Sequence, residues 1–447
     1  MSVSLPRVAD DALSAAKKAG ATEAEAFLQS NRELTVQVRD GSAESVKQAD
    51  QRGLGLRVLV EGRAALVWTS DFRKDALDDL AERAVALARR SPPDDANALA
   101  DPAPLTAPVE LHDDAVAALG PDDLIARATA AEAAARAFDA RIKKTEGAGA
   151  SRADAEICLK NSHGTDRHYP ASSVSVFLQV LADDADSKQR AGAEGSTQRF
   201  LADLTPSEEI GREAARRAVR MIGAKKVPTE KLPVVMHRDV AAGWMRSIFT
   251  AFSGEQVFKK ASYLADKKGQ TIASPLVTLV DDALRRRAVG GGPCDDEGVP
   301  TRRMVLLDKG TVQGFVYNLR WAKKAGVQST GHASRNYQSA PFIGFNSLYV
   351  ENGGTPVDEM LKGVSHGFYL TDTGAFGYDP PTGGWSYQVS GLMIEKGELG
   401  QPVTDVSLAS DTLTMLRGVR AVGNDLRFDG SVCVPHLLIE EMALSGT

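Results

Sequence analysis

Residues Thr205 to Pro228 read TPSEEIGREAARRAVRMIGAKKVP, and this stretch divides the chain. Thr205 is placed to cap a helix, Pro206 suits its first position, and Glu208 is expected to complete a capping box. Ile210, Ala214, Ala218 and Met221 recur at the helical period and are expected to face inward, with Gly223 just beyond the end. Ala224-Lys225-Lys226-Val227-Pro228 then joins charge to a helix-breaking proline, which predicts a boundary between a domain over 1–226 and another over 227–447.

Upstream, the helix closes a unit that occurs twice. The first copy has a helix over Asp10–Lys18 ended by Gly20, strands at Glu25–Gln29 and Glu33–Val38, a hairpin of Leu54–Val60 and Ala64–Thr69 turning on Glu61-Gly62, and a helix over Lys74–Arg89 stopped by Pro92-Pro93. Ser91–Pro108, rich in Pro, Ala and Asp, reads as a linker or surface loop. The second copy has a helix over Asp122–Phe138, strands at Arg141–Thr145, Ala155–Asn161, Ser172–Leu181 and Lys188–Glu194, and the closing helix. Helix, strands, helix, twice over, predicts a duplicated α/β domain.

Downstream the texture changes. Glycines crowd in, and short apolar runs turn on Lys309-Gly310 and Lys396-Gly397 as hairpins. Two helices stand out there, over Asp239–Phe252 and Asp411–Val419. The fold class is therefore α+β: a duplicated α/β N-terminal domain followed by a β-rich C-terminal one.

Composition excludes several functions. The formal net charge of -6 argues against nucleic acid as a partner, because phosphate binding needs clustered cations. No uncharged run approaches the roughly 18 residues of a membrane span, so no membrane is expected. Three scattered cysteines make no disulfide framework, and the N-terminus, which carries acids and an amphipathic pattern, is unlike a secretory signal; a cytoplasmic setting fits both.

Known catalytic patterns are missing. There is no G-x-S-x-G elbow and no phosphate loop. No two of the seven histidines lie three or four apart, and Cys433-Val-Pro-His436 is one ligand-like gap with no second pair. Two loops remain. In Gly290–Arg303, GGGPCDDEGVPTRR, Cys294 adjoins Asp295, Asp296, Glu297 and Gly298. Its acids can meet a ligand, bond backbone N–H groups, or pair with Arg302 and Arg303. Between Gln328 and Asn336, the small polar Ser329, Thr330, Gly331 and His332 leave room for a close backbone. Together the loops suit a groove that binds an extended peptide.

The run Asp295 to Thr301, followed by an apolar strand and Lys309-Gly310, then Ser329-Thr330-Gly331-His332, then Val422-Gly423-Asn424-Asp425 ahead of Cys433, resembles the TldD/PmbA family, whose members were described as modulators of DNA gyrase. The resemblance spans the chain. It implies a cytoplasmic protease in which a catalytic TldD subunit and a TldE (PmbA) subunit enclose unfolded peptides. The TldD motif is H-E-x-x-x-H on a helix, with a later cysteine as a further zinc ligand. Here the corresponding residues are Met245-Arg246-Ser247-Ile248-Phe249-Thr250, and Cys433 stands at the cysteine. The resemblance thus implies a TldE/PmbA-type subunit with no catalytic or metal-binding residues of its own, zinc being held by a TldD-like partner. Asp295, Asp296, Glu297, Gly298, Ser329, Thr330, Gly331 and His332 are the candidate peptide-binding residues. The alternative is a stand-alone homodimer that binds peptides without protease activity.

Overall fold

Helix α1 (Leu5–Ala19) buries Leu5, Val8, Ala12 and Ala16 and ends on Gly20, whose φ of 97° forms the left-handed stop. Strands β1 (Glu23–Arg39), β2 (Ser42–Val60) and β3 (Arg63–Thr69) and helix α2 (Lys74–Arg90) complete the first unit. After the short helix α3 (Asp114–Ala117), the order recurs as α4 (Pro121–Phe138), β4 (Ile142–Asn161), β5 (Asp166–Asp183), β6 (Gln189–Gln198) and α5 (Ser207–Val219). This computed structural model describes residues 4–185, 188–374 and 377–446.

The six strands form one antiparallel sheet in the order β3-β2-β1-β4-β5-β6. The leading strands of the two units meet at its centre, from Glu25 opposite Asn161 to Val38 opposite Ala148. The duplication is therefore visible in pairing order as well as element order. Helices α1 and α2 cover Leu28, Leu54, Leu56 and Val58, while α4 and α5 cover Leu34, Val36, Val38, Val176 and Leu178. Fully burying each of these leucines is worth about 1.5–3 kcal/mol, so each helix pair closes a core, and the second core draws Leu34, Val36 and Val38 from the first unit's β1.

Several expected strands are longer than their apolar runs. Glu25–Gln29 and Glu33–Val38 are one continuous β1, and Arg141–Thr145 and Ala155–Asn161 are one β4. The polar residues between them stay extended because they pair along their whole length: Asn31 lies opposite Gln51 on one side and Ala155 on the other. The closing helix also begins differently. Pro206 is its cap residue and makes no side-chain cap bond, because the Thr205 hydroxyl instead accepts a hydrogen bond from Arg427.

Beyond α5, β7 (Glu230–Met236) leads through His237 into α6 (Arg238–Phe249). β7 pairs in parallel with His366–Thr373 and antiparallel with Leu437–Ser445. The latter pairs with Glu398–Asp411, which pairs with Gly384–Glu395, and this strand returns to His366–Thr373. The five strands close into a barrel, which leaves no free edge within that ring. Beside it lies a sheet in the order Thr311–Val312, Arg303–Asp308, Leu279–Asp282, Leu348–Val350 and Val432–Cys433. Trp244, Met245, Ile248 and Phe249 of α6 fill the shared core. Both Lys-Gly turns form: Lys309 and Lys396 have φ of 44° and 53°, and their glycines 81° and 84°, the positive pair that matches strand twist. The late helix is shorter than expected, Thr412–Arg417, and Asp411 caps it by accepting from the Thr414 N–H. No helix among the described residues is long and apolar enough to cross a membrane.

Candidate functional site

The two loops singled out in the sequence meet in space, but their side chains turn inward. Asp295 accepts the N–H groups of Glu297 and Val299 on Oδ1 and that of Ala333 on Oδ2, each at 3.0 Å. Asp296 accepts from the Arg335 N–H at 2.9 Å, and Glu297 from the Leu319 N–H at 2.8 Å. Gly298 has a φ of 83°, and a Cβ there would stand 2.8 Å from the Thr165 methyl. In the second loop the Ser329 hydroxyl donates to the Tyr317 carbonyl and the Thr330 hydroxyl accepts from the Tyr317 N–H. His332 is fixed between Thr330 and Asp281, with Nε2 at 3.0 Å from Asp281 Oδ2. Gly331 lies against Pro300, so the two loops form one bed.

Through these bonds Asp295 and Asp296 hold the segment Ala333–Gln338. Arg302 and Arg303 are not the partners of the acids. Arg303 pairs with Glu351 at 2.8 Å, whereas Glu297 meets Arg57 at 3.6 Å. Arg57 in turn lies 3.2 Å from Glu25, and Arg335 lies 2.8 Å from the same carboxylate and 4.4 Å from the Phe27 ring centre. This network ties the second-domain loops to β1 and β2. A buried carboxylate shared by two guanidiniums is held by their attraction, without which its desolvation would be prohibitive.

The electrostatics follow from burial. Desolvation pushes the Asp296 carboxyl up to about 6, against the pull of the Arg335 N–H and charge. It also raises Asp295, with Glu297 repelling it, and raises Glu297 despite Arg57. Burial, reinforced by Asp295, pushes the Cys294 thiol up to about 12, so this is no activated nucleophile.

Strand alternation assigns the rest. Glu25, Phe27, Gln29 and Asn31 share the face of β1 opposite the helices, as do Gln51, Gly53, Gly55 and Arg57 on β2. Tyr337 lies on this face: a Cβ on Gly55 would come 2.2 Å from the Tyr337 carbonyl oxygen, and one on Gly53 would strike its ring. Only glycine admits that approach. Beyond Tyr337 the same face opens into a cleft of about 490 Å³. Its floor is small, with Ala153, Ala155, Ala171 and Ser173, and its walls carry the amides of Gln29, Asn31, Gln51, Asn336 and Gln338. Small floor and amide walls leave space for an extended backbone and offer it donors and acceptors. None of the eight residues expected from the loops lines this cleft. The glycine pair in β2 was the sequence signal for it. A second cleft, of about 480 Å³, lies beside the start of α6, but its Arg190 and Arg217 are already paired with Asp184 and Asp239.

The residues where the resemblance places a zinc site do not form a ligand set. Met245 is packed in the core, and the Arg246 guanidinium lies 5.4 Å from the Phe345 ring centre. The Thr250 hydroxyl donates to the Ser247 carbonyl. The Cys433 thiol is buried and its pKa raised by that burial. His237, the residue before α6, accepts on Nδ1 from the Asp239 N–H, and His436, just after Cys433 in sequence, lies between Asp425 and Tyr369. Among the described residues no three His, Cys, Asp or Glu side chains converge as a metal would require.

The chain thus joins a duplicated six-stranded sheet to a closed barrel. Models of the PmbA/TldA metallopeptidase domain 1, central domain and C-terminal domain match residues 24–88, 114–222 and 229–446. The chain belongs to the PmbA/TldD metallopeptidase family. It is 28% identical over 415 residues to the metalloprotease PmbA of Escherichia coli O157:H7, covering 92% of this chain and 90% of that one. To the metalloprotease TldD homolog of Haemophilus influenzae it is 27% identical over 342 residues, 70% of each chain. It superposes with a TM-score of 0.91 on a Bacteroides thetaiotaomicron protein described as a candidate modulator of DNA gyrase, at 27% identity over 99% of both chains.

Proposed function

We propose that this chain is the PmbA/TldE-type subunit of a two-chain zinc metallopeptidase, and that it binds peptide while the metal chemistry resides on a TldD-like partner. The observation that carries the reading is the side-chain set of α6 and its continuation. Met245, Arg246 and Thr250 supply a core thioether, a cation and an engaged hydroxyl, and none can share a metal with a water-activating carboxylate. The amide-lined cleft supports a peptide role. Apart from Arg199 its hydrogen-bonding groups are neutral and suit a backbone whatever its sequence, as processing of leader peptides or removal of unfolded peptides requires.

The supporting part played by the loops fits the same reading. Asp295, Asp296 and Glu297 hold Ala333, Arg335 and Leu319, and through them the segment bearing Asn336 and Gln338. The test is reconstitution. Peptide cleavage is expected from this chain together with a TldD-like chain and not from this chain alone; chelator-resistant cleavage by this chain alone would refute it.

A further inference from the structure

The amide-lined cleft contains one charged side chain, Arg199, which follows β6. Its guanidinium is fixed in place: Nε donates to the Ala288 carbonyl at 2.7 Å, Nη2 to that of Gly291 at 2.9 Å, and Nη1 to that of Ser172 at 3.5 Å. A guanidinium has five N–H groups, so two remain without these partners. Carbonyl oxygens orient the cation but do not neutralise it.

Arginines of the network around Glu25 and of the second cleft differ. Arg57 and Arg335 share Glu25, and Arg217 meets Asp239. Among the described residues no carboxylate pairs with Arg199, and the one titratable group acting on it is the Tyr169 phenol. Burial pulls it down to about 10, so it keeps its charge at neutral pH. Fastening the 288–291 loop needs donors but no charge, and a neutral amide could supply donors. An uncompensated, pre-oriented cation in an otherwise neutral cleft is a receptor for an anion.

We propose that Arg199 receives a carboxylate of the bound peptide, so that the cleft selects peptides carrying an acidic side chain or a free C-terminus near the residues seated on Gln29 and Asn31. The inference rests on the reading of the cleft as a peptide site and adds the chemistry it prefers.

Calorimetric titration of the full-length chain with three peptides tests it. One is acetyl-Ala-Ser-Gln-Glu-Gln-Ser-Ala-amide, one replaces its Glu by Gln, and one is the Gln peptide with a free C-terminal carboxylate. The Glu peptide, the free-carboxylate peptide or both should bind about tenfold more tightly than the neutral one, the size of about 1.4 kcal/mol for one charge-assisted contact. Which of them gains tells a side-chain carboxylate from a terminal one. The advantage should shrink with added salt and disappear in Arg199→Gln. Equal affinity for all three in the wild-type chain would overturn the inference and leave the peptide reading standing, whatever the stability of the variant. Binding of none would overturn both.

Discussion

Replacing Asp296 by asparagine isolates the cost of placing an acid in the bed beneath the cleft. The carboxyl accepts the Arg335 N–H at 2.9 Å, and an amide oxygen can do the same. What the substitution removes is charge. Burial lifts this group from its ordinary 3.8 to about 6, so the native state binds the proton more tightly than the unfolded chain does. Its contribution therefore favours the fold below about pH 4 and is lost as the pH climbs through about 6. A rise of that size corresponds to about 3 kcal/mol, reduced to about 2 kcal/mol because part of the side chain still meets solvent. Urea unfolding of wild type and Asp296→Asn, run in parallel from about pH 4.5 to 7.5, cancels the titration of every other group. The variant should gain on the wild type by about 2 kcal/mol across that range. A stability difference independent of pH, or one that moves against the variant as pH rises, would refute the reasoning.

Three further outcomes are expected. Gly55→Ala forces a Cβ against the Tyr337 carbonyl and should lose about 1–3 kcal/mol in denaturant unfolding, whereas Gly53→Ala meets a ring that can swing away and should lose less. Glu25→Gln removes the carboxylate that Arg57 and Arg335 share, leaving Arg57 only Glu297 at 3.6 Å, and should cost about 3–5 kcal/mol by the same assay; a change under 1 kcal/mol would show that the network is not what ties the loops to the sheet. Cys158, Cys294 and Cys433 are all buried, with Cys158 and Cys294 pushed up to about 12 by desolvation, so a thiol reagent at mildly alkaline pH should label the native chain only as fast as it opens.

Much of the architecture could be read from the residues because it rests on local signals. Gly20, Pro92-Pro93 and the apolar periods of α1, α2 and α5 bound the helices, and Lys309-Gly310 and Lys396-Gly397 mark real turns. Strand length was less legible. The Ser42–Arg52 half of β2 is almost wholly exposed, so no apolar alternation announces it, and pairing with β1 alone extends it. The candidate loops were legible as places but not as orientations. A Gly-rich acidic run can face a ligand or its own backbone, and only the register that brings Ala333 and Arg335 beside it decides. Glu25, Arg57 and Arg335 were invisible as a set, being far apart in sequence and joined only by the fold.

The account turns on where the metal resides. The most direct measurement is zinc content determined separately on this chain and on a TldD-like chain after the two have been purified as a pair and resolved. Zinc is expected on the partner at about one per chain, with none above background on this one. Stoichiometric zinc on this chain, lost in Cys433→Ala, would contradict the account.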